Sequence, residues 1–152
     1  MNTFSNFDRF VDNINKAIME EMRRDYSEKV VEIFLNPINM GRIEGADGYG
    51  KLKGPCGDTM EIFLKIGKDL ISDARFITDG CGPSIVCGTM VTELAKDRSI
   101  NKAGEINAEK VLDELGGLPK ADQHCAKLAA DTLRQSISNY LKVNMNLEKN
   151  SK

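Results

Sequence analysis

The segment between residues 59 and 78 is the part of the sequence that most constrains the fold. From 59 to 66 the apolar side chains alternate with polar ones, at Met60, Ile62, Leu64 and Ile66. A two-residue period is typical of a strand with one buried face. Gly67 and Lys68 are predicted to form a turn into a second extended segment, 70–78. The two segments and the turn together predict a β-hairpin. The glycine-containing stretch 41–50 predicts loops and a possible weak strand.

Helical patterns lie on both sides of this hairpin. Apolar residues recur with helical spacing in 7–22, in 83–95, in 108–115 and in about 122–143. Ser27 is placed to cap a further short helix, which the Asn36-Pro37 pair should end. The predicted fold class is therefore α+β, with a small antiparallel sheet of about three strands packed against several helices and a long C-terminal helix.

The length of 152 residues predicts one main domain rather than two. We expect an amphipathic helical extension at 1–24, a domain at 25–145 and a frayed polar tail at 146–152. The 21 basic and 23 acidic residues leave a net charge of -2, so no nucleic-acid-binding surface is indicated. No secretory signal, transit peptide or membrane span is recognisable, which predicts a cytoplasmic protein with free or metal-binding thiols.

Three of the four cysteines lie at junctions between predicted elements. Cys56 precedes a glycine, Cys81 stands between two glycines before a helix, and Cys125 lies near the start of the last helix. Such positions allow close backbone approach to a ligand and favour thiolates. Their wide separation makes the motif weak by spacing alone, and each could instead be a small buried residue. Cys87 is expected to pack in the core, with sulfur acceptance or oxidation as the alternative.

Asp58 and His124 stand beside these cysteines in the sequence. A carboxylate or an imidazole could complete a site of three thiolates for iron or zinc. Adjacent residues on a helix point in different directions, so His124 need not share a metal with Cys125. The alternatives are a turn-capping role for Asp58 and a capping or surface role for His124.

The sequence resembles the U-type iron-sulfur scaffold family, the IscU or NifU-like proteins, over roughly residues 26–140. The resemblance rests on short motifs in the family's order: YSEKV at 26–30, NPINMG at 36–41, CGDTM at 56–60, DARF at 73–76, GCG at 80–82, VTE at 91–93 and HC at 124–125. Several of these motifs are weak alone, but their common order makes the joint signal strong.

The resemblance implies a carrier rather than an enzyme. It implies that Cys56, Cys81 and Cys125 are the thiol ligands of a labile [2Fe-2S] cluster and that Asp58 and His124 are additional site residues. It also implies three kinds of partner: a pyridoxal-phosphate cysteine desulfurase that supplies sulfur, donors of iron and electrons, and apo-proteins that receive the cluster. Asp58 is expected to tune cluster release or serve as a ligand, and His124 to be an alternative ligand or a proton-handling group.

Two features depart from the family pattern. Where the family commonly has Leu-Pro-Pro-Val-Lys before the His-Cys pair, this chain has Leu-Pro-Lys-Ala-Asp at 118–122, so the Hsp70-type chaperone interaction is not carried over. The change also places Asp122 where a lysine is usual. The second departure is the helix at 1–24, expected to pack on its own domain, with a partner or homodimer surface as the alternative.

Three other interpretations stay open from the sequence. A zinc-binding protein of the same fold would use the same residues, either as a sulfur acceptor or as a structural zinc adaptor. In the adaptor case, removal of the metal should unfold the chain. A thiol enzyme would use Cys56 or Cys81 as nucleophile and His124 as base.

Overall fold

The computed structural model describes residues 3–150. The helices are α1 (Thr3–Asp25), α2 (Glu28–Leu35), α3 (Gly82–Ala95), α4 (Ile100–Ala103), α5 (Ala108–Leu115) and α6 (Gln123–Asn150), with a 3-10 turn at Lys120–Asp122 before α6. The strands are β1 (Gly48–Lys53), β2 (Thr59–Gly67) and β3 (Leu70–Thr78). The α+β class, the small sheet and the long C-terminal helix are confirmed.

The three strands form one antiparallel sheet in the order β1-β2-β3. Lys68 and Asp69 connect β2 to β3 with φ values of 55° and 62°. A two-residue hairpin loop whose residues both have positive φ has the twist that the flanking strands require. The predicted hairpin is therefore confirmed, with its turn one residue later than Gly67-Lys68.

The core lies between one face of the sheet and helices α3 and α6. Met60, Ile62 and Leu64 of β2 and Phe76 of β3 are fully buried there, as the alternating pattern predicts. Strand β1 lies close to α6: a Cβ on Gly50 would come within 2.7 Å of the backbone nitrogen of Ser136. The glycines that suggested loops thus partly serve this close approach of a strand to a helix.

Helix α2 is fixed at its start by Ser27. The Val30 amide donates a hydrogen bond of 3.1 Å to the Ser27 hydroxyl oxygen, as the predicted cap requires. The same hydroxyl donates to the backbone carbonyl of Leu115, the last residue of α5. Gly116 then ends α5 with a φ of 76°, so the predicted α5 boundaries are confirmed.

Two expectations about the terminal helices are wrong. The apolar stripe of α1 does not pack on its own domain, because its residues Phe7, Phe10, Ile14 and Ile18 are exposed. The main contacts of α1 are with α2, near the C-terminal end of α1. Helix α6 runs to Asn150, past the expected end near 143. Within residues 3–150, no helix is both long and apolar enough to cross a membrane.

Candidate functional site

The turn between β1 and β2 carries Cys56 and Asp58. The amide of Gly54 donates to the Asp58 carbonyl at 2.7 Å, and the amide of Gly57 donates to the Gly54 carbonyl at 3.0 Å. Gly57 has a φ of 88°, which a residue with a side chain rarely adopts. The tight turn leaves the Cys56 thiol exposed at one end of the sheet.

The segment that leaves β3 returns to the same end of the sheet. Met60 pairs with Thr78, and the amide of Thr59 donates to the Asp79 carboxylate at 2.7 Å. Gly80 follows, and a Cβ there would lie 2.9 Å from Oδ2 of Asp58. The register of the hairpin therefore brings the start of α3 next to Asp58. Cys81 stands at the N-cap of α3 with an exposed thiol.

The start of α6 supplies the third side of this cluster. Oγ of Ser84, in the first turn of α3, lies 3.3 Å from Oδ2 of Asp58 and 3.5 Å from Sγ of Cys125. Nε2 of His124 lies 3.5 Å from the same sulfur. Asp58 and Cys125 thus meet at one buried serine, and His124 contacts the Cys125 sulfur. Cys81 lies three residues before this serine on the chain.

The four thiols differ in environment. Cys56 and Cys81 are exposed, whereas Cys87 and Cys125 are buried. Burial raises the pKa of the Cys125 thiol; the hydrogen bond from Ser84 opposes this rise and the nearby Cys81 adds to it. Burial also raises the pKa of Cys87 strongly, which keeps this thiol protonated. Cys87 therefore lies in the core, as expected for a packing residue.

A second polar contact reaches the site from the connection between α1 and α2. The Tyr26 hydroxyl donates a hydrogen bond of 2.8 Å to Oδ2 of Asp122, two residues before His124. This hydrogen bond is the main cause that raises the pKa of Tyr26 to about 12, with burial and the Asp122 charge adding to it. Asp122, noted from the sequence only as a departure, is thus linked to the connection between α1 and α2.

Sequence reasoning missed Ser84 and the contact made by Tyr26. Tyr26 lies within one of the motifs, but nothing in the motif indicates its partner. Ser84 follows Pro83 on a helix that is apolar on most sides, so it resembles an ordinary helix-start residue. Only its burial together with its two polar neighbours distinguishes it.

Within the described residues 3–150, no three His, Cys, Asp or Glu side chains are already arranged to hold a metal ion. The structure brings Asp58, His124 and Cys125 together, and Cys56 and Cys81 lie on the two segments adjoining them. Iron or zinc ligation by these five residues therefore stays a prediction. Binding a metal through three or more of these side chains would need them to move from the positions they have within the described residues.

A family model described as the NifU-like N terminal domain matches residues 25–146. An iron-sulfur cluster assembly scaffold protein IscU from Archaeoglobus fulgidus is 45% identical over 125 residues, covering 82% of each chain. One from Aquifex aeolicus is 40% identical over 134 residues, covering 86% of this chain and 85% of the relative. A crystal structure of a putative iron-sulfur cluster assembly scaffold protein for the SUF system, from Fervidobacterium islandicum, matches this chain with a TM-score of 0.60 at 22% identity. The match covers 74% of this chain and 96% of that one, and it shows that the two share a fold.

Proposed function

The chain belongs to the family of NifU-like N-terminal domains, and from this premise we propose that it is a scaffold for iron-sulfur cluster assembly. The family resemblance found in the sequence motifs is thereby confirmed. The observation that carries the proposal is the meeting of Asp58, His124 and Cys125 at the end of the sheet, beside the exposed thiols of Cys56 and Cys81.

The proposed cargo is a [2Fe-2S] cluster bound through Cys56, Cys81 and Cys125. Thiolates are soft ligands that suit iron in such clusters. The exposure of Cys56 and Cys81 supports a role for these residues in accepting sulfur, because an incoming protein can reach both. A thiolate attacks the outer sulfur of a donor persulfide, the donor thiolate leaves, and the acceptor cysteine becomes the persulfide. Two electrons from an electron donor then reduce each transferred sulfur to sulfide.

Asp58 and His124 are the proposed candidates for the remaining ligand position. A carboxylate or imidazole gives a less uniformly thiolate-bound cluster, which suits a protein that must release what it builds. The partners in this proposal are a cysteine desulfurase, donors of iron and electrons, and recipient apo-proteins. The thiol-enzyme alternative gains no support, because the described contact of the His124 ring is with Cys125 and not with Cys56 or Cys81.

Anaerobic reconstitution tests the proposal. The protein is incubated with ferrous iron, cysteine, a cysteine desulfurase and a reductant, and is then followed by visible and Mössbauer spectra and by transfer to an apo-ferredoxin. We expect a two-iron cluster that is transferred by the wild type and is lost in Cys56→Ser, Cys81→Ser and Cys125→Ser. Cys87→Ser is the matched control, because Cys87 is buried in the core, and it should still load.

Metal analysis of the purified protein separates iron from zinc. Tightly held zinc with no cluster after reconstitution would favour the zinc-binding alternative, in which the same residues form a tetrahedral site. Equal cluster retention in Asp58→Ala and His124→Ala would count against a ligand role for either residue.

A further inference from the structure

Ser84 is a buried polar residue that the proposed assembly chemistry does not yet use. Its side chain has no solvent exposure, and it lies in the first turn of α3, three residues after Cys81. Oγ of Ser84 lies between Oδ2 of Asp58, at 3.3 Å, and Sγ of Cys125, at 3.5 Å. A single hydroxyl therefore contacts two of the proposed ligands, which lie on segments far apart in the sequence, the β1–β2 turn and the start of α6.

The space around this hydroxyl depends on Gly80. A Cβ at Gly80 would lie 2.5 Å from Oγ of Ser84 and 2.9 Å from Oδ2 of Asp58. Contacts this short would force one of the two side chains to move. The absence of a side chain at Gly80 thus lets the carboxylate and the hydroxyl approach each other against the backbone.

A serine hydroxyl has one hydrogen to donate and rotates without movement of its heavy atoms. It can therefore donate to the Asp58 carboxylate or to the Cys125 sulfur, but not fully to both. The carboxylate is the stronger acceptor while it is ionised and free. Once Asp58 binds iron, its oxygens have less electron density to offer, and the Cys125 thiolate becomes the better acceptor.

We propose that Ser84 is a positioning residue that holds the Asp58 carboxylate in the iron-free protein and turns its hydroxyl to the Cys125 sulfur when Asp58 binds iron. This inference rests on the proposed scaffold function and extends it to the release step. Each time Asp58 leaves iron, the carboxylate regains the hydrogen bond from Ser84. The hydroxyl thus favours dissociation of the Asp58–iron bond, and it withdraws charge from Cys125 while that bond exists.

The change Ser84→Ala removes only the hydroxyl and leaves a residue that favours helices. On metal binding, Ser84 exchanges a hydrogen bond to a free carboxylate for a weaker one to the Cys125 sulfur, so the net effect is at most one typical hydrogen bond, a factor of up to roughly ten in an equilibrium or rate. We therefore expect Ser84→Ala to bind cobalt(II), a spectroscopic substitute for iron, more tightly by a factor of up to roughly ten, and to transfer its cluster more slowly by a similar factor. Hydrogen bonds to the sulfurs help to set cluster potentials, so the reduction potential should become more negative and the thiolate-to-metal absorption band should move to longer wavelength.

Ser136→Ala is the matched control, because Ser136 is an equally buried serine whose hydroxyl, within residues 3–150, hydrogen-bonds to the backbone carbonyls of Ile62 and Thr132 and to no proposed ligand. It should lower stability without moving the absorption band or the transfer rate. Asp58→Ala and the Ser84→Ala/Asp58→Ala double variant complete a cycle. If Ser84 acts through Asp58, most of the effect of Ser84→Ala on cobalt affinity should vanish in the Asp58→Ala background.

The two experiments separate the inference from the proposed function. If the wild type transfers a cluster while Ser84→Ala has the same cobalt spectrum, cobalt affinity and transfer rate, the role of Ser84 is refuted and the scaffold function stands. A loss of thermal stability alone, without a spectral shift, also refutes it. If Ser84→Ala alters cobalt binding as expected but the wild type assembles no transferable cluster, the positioning role stands and the scaffold function fails.

Discussion

Replacing Tyr26 by phenylalanine tests the contact that links the α1–α2 connection to the functional site. The substitution removes the hydroxyl that donates to Oδ2 of Asp122 at 2.8 Å and leaves the ring in place. Hydrogen bonds to charged groups contribute about 1.5–3 kcal/mol. Both residues are only partly buried, so water can replace the lost donor. We therefore expect Tyr26→Phe to lower the free energy of unfolding at pH 8 by about 1–1.5 kcal/mol.

The same contact makes the effect depend on pH. Folding raises the pKa of Tyr26 from 10.0 to about 12, mainly because its hydroxyl is bound to Asp122. A pKa raised on folding means that the neutral phenol is favoured in the folded protein. Its stabilisation is complete below pH 10 and is lost as the pH rises towards 12. At pH 11 the free energy of unfolding of the wild type should have fallen by up to about 1.4 kcal/mol from this cause, and by less where solvent screens the pair. Tyr26→Phe has no phenol to ionise at this position and should not show this fall.

Urea unfolding of both proteins at pH 8 and pH 11, under reducing conditions, measures this difference. The stability gap between wild type and Tyr26→Phe should be about 1–1.5 kcal/mol at pH 8 and close to zero at pH 11. Tyr49→Phe is the control, because Tyr49 also donates to a carboxylate, that of Glu61, but is 40% exposed. Its loss should be smaller. A gap for Tyr26→Phe that is the same at both pH values would refute the link between the hydrogen bond and the raised pKa.

Three further results are expected. Gly88→Ala should lower the free energy of unfolding by about 1–3 kcal/mol, because the added Cβ would overlap the buried ring of Phe76. An unchanged melting temperature would contradict the packing of α3 on β3. Iodoacetamide should alkylate the exposed Cys56 and Cys81 well before the buried Cys125. Peptide mass spectrometry of timed samples measures the three rates, and equal rates would contradict the burial of Cys125. Chelation should leave the urea midpoint of the chain unchanged, because a scaffold that hands on its cargo has to stay folded in its metal-free state, whereas unfolding would support a structural zinc adaptor.

The elements that the sequence predicts well are those with a local physical cause. The alternation in β2 and the capping by Ser27 each involve residues close together in the chain, as does the end of α5 at Gly116. The elements that depend on tertiary contacts were predicted weakly, as β1 was, or not at all, as for α4. Strand β1 is short, and its glycines, which weaken a strand pattern, allow its backbone to lie close to the backbone of Ser136 on α6. Helix α4 is a single turn of four residues, too short for any periodic pattern.

The candidate site shows the same division. The motifs and their order predict that Cys56, Cys81 and Cys125 act as a set, which spacing alone could not predict, and this stays a prediction. The hairpin register explains why two distant segments arrive at the same end of the sheet. Hydroxyl partners were not predictable in this way, because a serine or tyrosine accepts many partners and the sequence does not indicate which one packs nearby.

The two hydroxyls that support the site act on different carboxylates and should have separable effects. Tyr26 binds Asp122, which lies before the His124–Cys125 pair, so its removal should loosen the segment that carries those residues and appear mainly as lost stability. Ser84 binds Asp58, which is itself a proposed ligand, so its removal should appear in metal affinity and release. A scaffold has to keep its fold while its cargo comes and goes. Placing the structural hydrogen bond on Asp122 and the exchangeable one on Asp58 would allow the site to open without unfolding the domain around it.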